Sequence, residues 1–176
     1  MERISSKVVY EGPIASVRID EFRHGDGSVA ERQVIGHPGA VAIVAHDERF
    51  VYLVRQPREA VGEPDLLELP AGKLDMEGEA PLDCARRELA EEIQKRARRW
   101  SELKRFYTSP GLAEEEVTVY LATDLDDADL EPDPGERIEV VPWPLEDLDG
   151  AIAACNDSKS LIGLLLFRRL REPGAR

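Results

Sequence analysis

Cysteine is scarce: Cys84 and Cys155 are the two in 176 residues. They stand far apart in a chain with no secretory leader in view, so a disulfide framework is not expected. Long apolar runs are missing as well. The segment LIGLLLF at Leu161 to Phe167 falls well short of the ~20 residues that cross a bilayer, and reads as part of a core helix. The opening MERISSKVVYEG has neither an apolar stretch nor a cleavage-like site, so no export signal is expected and a cytoplasmic location follows by default. Positive charge is in deficit, with 23 Lys and Arg against 36 Asp and Glu and a net charge of -13. Binding to a nucleic-acid backbone needs clustered Lys and Arg, so neither nucleic acid nor membrane is an expected partner. A small anionic substrate remains compatible if local arginines or a divalent metal overcome the acidic field. There is no internal repeat.

With 42% apolar residues and both charge signs abundant, the chain reads as globular. Its length suits one ordinary domain with a small appendage. The first forty residues alternate short apolar runs with turn signals, among them HGDG at His24 to Gly27, and predict a small antiparallel sheet. Such a sheet is marginal alone and must pack on the rest of the chain or on a second copy. AVAIVAHD and RFVYLVRQPRE predict a buried hairpin, and DLLELPAG a short strand stopped by Pro70 and Gly72. A helix follows with Pro81 near its first position. SELKRFYTSPG and EEEVTVYLAT read as strands around a loop. The acidic, Pro-rich connector DLDDADLEPDPGE leads to a strand in RIEVVPW, a helix in PLEDLDGAIAAC, and a last helix capped by Asp157 that runs through Leu161, Leu164 and Leu165. Strands and helices alternate irregularly, which points to an α+β architecture.

The helix after Pro81 carries an unusual charge pattern. Leu82, Ala85, Leu89 and Ile93 form its apolar stripe. At ~100° per residue, Glu88 and Glu92 fall on one shoulder of that stripe, one turn apart, and Glu91 lies about opposite Leu82. A solvated face with an Arg87–Glu91 pair is the plainer reading. Against it, like charges at that spacing repel, the carboxylates border the apolar stripe, and the Gly-containing loop LPAGKLDMEGE can bring backbone carbonyls to the same lip. Clustered oxygen donors on one lip suit a hard divalent cation that also takes substrate phosphates.

These residues resemble the box of the Nudix hydrolases, which runs Gly, five residues, Glu, seven residues, Arg-Glu, aliphatic, any, Glu-Glu, any, Gly, aliphatic. Gly72, Glu79, Arg87, Glu88, Leu89, Glu91 and Glu92 match it. Two departures stand out. Six residues separate Gly72 from Glu79, and Gln94 with Lys95 occupies the closing Gly-aliphatic positions. Either the helix runs on through KRARRW, or Gln94 takes the strained conformation that the glycine normally adopts, at ~1 kcal/mol or more. GAVAIVA, LVRQPRE, LELPAGKLD and FYTSPG extend the likeness to the ADP-ribose pyrophosphatase branch, whose marker is a proline about fifteen residues past the box. Pro110 stands there.

The resemblance implies a Nudix fold, a mixed sheet sandwiched between helices with a small N-terminal antiparallel sheet. It implies Mg²⁺-dependent hydrolysis of ADP-ribose to AMP and ribose 5-phosphate, with Mn²⁺ as the substitute ion. Carried over by position, the metal ligands are the carbonyl of Ala71, Glu88, Glu92 and Glu91, with Glu68 assisting through water. Arg87 orients a box glutamate. Among Glu114, Glu115 and Glu116 on the loop after the marker proline, alignment favours Glu115 as the group that orients or deprotonates water. Arg58 matches a substrate-binding arginine, and Arg32 is a weaker candidate of the same kind. A homodimer with exchanged N-terminal sheets is implied, residues 1–38 dimerising and enclosing the adenosine end and 39–176 forming the catalytic domain. The three histidines receive no role.

Two competing readings remain at this point. Within the same fold, the substrate could be a nucleotide sugar, a dinucleoside polyphosphate or FAD. From a different class, the chain could be a nucleotide-sensing module that lost its chemistry, which Gln94 favours and the intact Glu88, Glu91 and Glu92 oppose.

Overall fold

Turn chemistry shapes the N-terminal segment. The computed structural model describes residues 1–128, 137–172 and 174, and divides into two compact units. The first comprises Met1–Gly39 together with Tyr107–Glu116. In it β1 (Glu2–Glu11), β2 (Ser16–Arg23) and β3 (Val29–Gly36) form an antiparallel sheet in that order. The β2–β3 turn is closed by Gly27, at φ 83°, and by Asp26, which accepts from the Ser28 amide. Asp20 is fully buried on β2, where it accepts from the Ser6 hydroxyl at 2.6 Å and from Arg18 Nε at 2.8 Å. Its carboxyl is pushed up by burial, yet these partners outweigh that and hold it below the usual range. The segment 107–116 joins this unit because Ile35 donates to the Leu112 carbonyl and accepts from the Glu114 amide.

The second unit comprises Ala40–Phe106 and Val117–Arg176. Its central strand, β4 (Ala40–His46), is apolar at six consecutive positions because both faces are covered. Alternate side chains serve opposite layers. Val41, Ile43 and Ala45 pack with Cys84, Ala85, Leu89 and Ile93 of α1 (Pro81–Ile93). Ala42 and Val44 pack with Leu148 and Ala151 of α2 (Leu148–Ala154) and with Leu164 and Phe167 of α3 (Ser158–Arg171). A mixed sheet thus lies between α1 on one face and α2 and α3 on the other.

The sheet also contains β5 (Phe50–Arg58), β6 (Glu63–Glu68), β7 (Ala71–Lys73), β8 (Lys95–Tyr107), β9 (Glu116–Asp127) and β10 (Glu139–Pro144). Its order is β10-β5-β4-β9-β8, with β6 on β5 and β7 on β4. The β4–β9 pairing is parallel, whereas β7 runs antiparallel to β4 with Ala42 opposite Ala71.

Several local expectations shift. Gly72 does not stop a strand: it sits inside β7. The helix expected in PLEDLDGAIAAC opens as a 3-10 turn at Leu145–Asp147 before α2. Leu165 is exposed, while Leu164 is buried. Asp124, Asp126 and Asp127 of the acidic connector belong to β9 and pair with Arg99, Arg98 and Lys95, and residues 129–136 of that connector lie outside the described residues. Helix α1 ends at Ile93, Gln94 turns into the left-handed region at φ 55°, and β8 starts at Lys95. KRARRW is therefore strand, and Gln94 carries the strain.

Candidate active site

Packing of α1 on the sheet draws two carboxylates inward. Leu89 and Ile93 go into the core, and Glu88 and Glu92 on the shoulder of that stripe are left only 9% and 7% exposed. Glu92 accepts from the Ala71 amide at 3.0 Å, which sets the backbone of β7 beside its carboxylate. One residue on, Gly72 and Glu88 come closer still. A Cβ at position 72 would lie 1.9 Å from the Glu88 carboxyl carbon, so only glycine fits.

Arg87 holds this acidic edge together. Its Nε and Nη2 donate to the two oxygens of Glu79 at 3.0 Å each, and Nη1 donates to Glu88 at 2.7 Å and to Glu91 at 2.9 Å. The fork on Glu79 is bidentate, the geometry that suits a guanidinium. Through it Arg87 holds the Glu79 carboxyl below its ordinary range, and Glu79 in turn raises Arg87. A fixed Arg87 then fixes Glu88.

A third buried carboxylate of this unit is Glu68. Glu68, at the end of β6, accepts from Arg58 Nε at 3.1 and 3.2 Å and from Nη2 at 2.5 Å. Arg58 is raised first by that hydrogen bond, and the charge of Glu92 adds to it. Lys159, in the first turn of α3, reaches Glu68 at 3.4 Å and Asp157 at 2.9 Å. Asp157 caps α3 through the Ser160 amide, and the Ser160 hydroxyl accepts from the Leu69 amide at 2.7 Å. The start of α3 is thereby tied to the strand end that carries Glu68.

The remaining expected residues belong to the first unit. Glu115 accepts from the Thr108 hydroxyl at 2.7 Å and lies 3.6 Å from His37 Nδ1. Glu114 is instead engaged by a two-point contact with Arg18, which lowers its carboxyl. Arg32 is exposed on β3 and donates to the Glu31 carbonyl. Lys159, His37 and Thr108 escaped sequence reasoning. Lys159 and His37 lie far along the chain from Glu68 and Glu115, Thr108 stands seven positions before Glu115 across a loop, and no spacing rule links them.

The donor set fits a hard divalent cation: carboxylate oxygens of Glu88, Glu91 and Glu92 beside the backbone of Ala71, in a cradle that a Cβ at 72 would fill. As the side chains stand, with Arg87 bound to Glu88 and Glu91, no group of three or more His, Cys, Asp or Glu is gathered into a metal cage among the described residues. Thiol chemistry is disfavoured, because burial pushes Cys84 up to about 12 and Cys155 up to about 11.

The family model of the NUDIX domain matches residues 36–164. The chain belongs to the Nudix family. Nudix hydrolases in general use divalent cations, in keeping with the donor set above. The chain is 45% identical over 125 residues to an ADP-ribose pyrophosphatase of Mycobacterium tuberculosis, a match covering 70% of this chain and 60% of that protein. It is 37% identical over 147 residues to an ADP-ribose pyrophosphatase of Bacillus subtilis, covering 82% and 78%. A crystal structure of ADP compounds hydrolase superposes with a TM-score of 0.82 at 23% identity, over 96% of this chain and 92% of that one. This last likeness shows the Nudix fold, with its mixed sheet between helices and the three-stranded N-terminal sheet.

Proposed function

We propose that this Nudix chain hydrolyses the pyrophosphate bond of ADP-ribose to AMP and ribose 5-phosphate, with Mg²⁺ as cofactor and Mn²⁺ as the alternative ion. The observation that carries the reading is the contact of Gly72 with Glu88, a backbone pressed against a buried box carboxylate with no room for a side chain. The two relatives named ADP-ribose pyrophosphatase support the substrate.

Glu88, Glu91, Glu92 and the carbonyl of Ala71 would hold the cation, which supplies water activation and charge neutralisation when bound. Arg87 keeps Glu88 aimed by its anchorage on Glu79. Glu115 is the proposed general base: it takes a proton from the attacking water as the new P–O bond forms and the bridging P–O bond breaks. The Thr108 hydroxyl, donating to it, holds it in place. Arg58, and more weakly Arg32, pair with phosphate oxygens.

Residues 1–38 serve as the dimerisation module, with 39–176 as the catalytic domain. Along β1 the side chains of Val8, Val9 and Tyr10 are exposed, which supports a homodimer with exchanged N-terminal sheets. Among the described residues no helix is long and apolar enough to cross a membrane, and a cytoplasmic location is proposed.

The test is incubation of the purified protein with ADP-ribose, nucleotide sugars, dinucleoside polyphosphates and FAD, each with Mg²⁺ or with EDTA, and chromatography of the products. AMP formed chiefly from ADP-ribose and only with metal is expected. Faster turnover of another compound would move the substrate assignment, and binding without any turnover would make the chain a sensor.

A further inference from the structure

Glu68 is a carboxylate that cannot be left alone. Its side chain is 3% exposed, and two cations reach it: Arg58, with its side chain 38% exposed, and Lys159, at 16%. A buried carboxylate stripped of its partner is strongly destabilising, because it loses hydration without compensation. Arg58 is nonetheless the residue whose guanidinium is open enough to meet a ligand. If Glu68 had Arg58 as its sole cation, every move of Arg58 towards a phosphate would uncover a buried negative charge.

We infer that Lys159 is a positioning residue for Arg58: it retains Glu68 when Arg58 turns from that carboxylate to a phosphate of the diphosphate substrate. This rests on the reading of Arg58 as a substrate-binding residue. The geometry favours an exchange of this kind. Lys159 is held in place independently of Arg58, since Nζ also donates to Asp157 at 2.9 Å and Asp157 is itself fixed as the cap of α3. The Lys159 contact to Glu68, at 3.4 Å, is longer than that of Arg58 Nη2, at 2.5 Å, so Lys159 has room to tighten as Arg58 leaves. Gln56 Nε2, 3.5 Å from the same carboxylate, adds a neutral donor. An ammonium suits the retaining role as a compact point charge, while the planar guanidinium suits the two-point capture of a phosphate.

The experiment measures ADP-ribose affinity by calorimetry in EDTA, and kcat and KM in Mg²⁺, for Lys159→Met, Lys159→Arg and Lys159→Met in a Glu68→Gln background. Lys159→Met is expected to weaken binding and raise KM by about tenfold, with kcat changed less than about threefold. Lys159→Arg is expected to restore both. With Glu68 neutralised there is no charge to retain, and the same substitution should shift affinity less than about twofold. Unchanged affinity in Lys159→Met, or an equal loss in the Glu68→Gln background, would overturn the inference. If Lys159→Met does not fold, Lys159→Gln takes its place under the same criteria. Binding without turnover in the unmodified protein would sink the hydrolase reading and leave Lys159 to be judged by affinity, whereas no binding of ADP-ribose at all would overturn the Lys159 role with it.

Discussion

Gly72 and Glu88 compete for one volume: a methyl group on the glycine would fall 1.9 Å from the carboxyl carbon and 2.0 Å from one of its oxygens. The contact joins β7 to α1 at the point where the cation would bind. Gly72→Ala must displace Glu88, so Mn²⁺ affinity, titrated by electron paramagnetic resonance, should fall at least about tenfold. Retained affinity would mean that Glu88 is not a ligand.

Glu114 and Glu115 are neighbours with different partners, the first on Arg18 and the second on the Thr108 hydroxyl. Glu115→Gln should lower kcat by about a hundredfold or more if it is the base. Glu114→Gln should change kcat little and reduce thermal stability through the loss of its Arg18 pair. A kcat loss confined to Glu114→Gln would reassign the base.

Gln94 pays for a left-handed backbone at φ 55° with a side chain that is exposed. Gln94→Gly should therefore stabilise the fold by about 0.5–1 kcal/mol and raise Tm by a few degrees. Calorimetric melting of the two proteins decides this, and an unchanged or lower Tm would show that the strain is negligible.

Glu79 sits below its ordinary value near 4.5 because Arg87 donates to both of its oxygens, burial opposing. A depressed carboxylate contributes stability that is fully present above the unfolded value and is lost as pH falls through the lower native value. Below about pH 4.5 the unmodified protein should lose stability more steeply than Glu79→Gln, with the two profiles parallel at neutral pH. Urea denaturation at a series of pH values tests this, and equal acid limbs would exclude the linkage.

The box helix was legible because its signal is local. Pro81 opens it, the stripe of Leu82, Ala85, Leu89 and Ile93 faces the core, and the shoulder position of Glu88 and Glu92 follows from 3.6-residue geometry. The helix end was not legible, since local chemistry allowed either continuation or a stop. The stop comes from the sheet: Ala128 donates to the Gln94 carbonyl and Lys95 pairs with Asp127, which draws the chain into β8 at once.

The resemblance of the spaced residues Gly72, Glu79, Arg87, Glu88, Glu91 and Glu92 to the Nudix box, and the periodicity that sets the carboxylates on one helix, were legible in the sequence because they depend on neighbours a few positions away. Which carboxylate meets which cation was a matter for the folded chain. Lys159 reaches Glu68 across 91 positions (159 − 68), and the Ser160 hydroxyl takes the Leu69 amide across the same distance. Such pairings are selected by shared burial, where an unpaired charge is costly, and burial exists only once distant segments have come together.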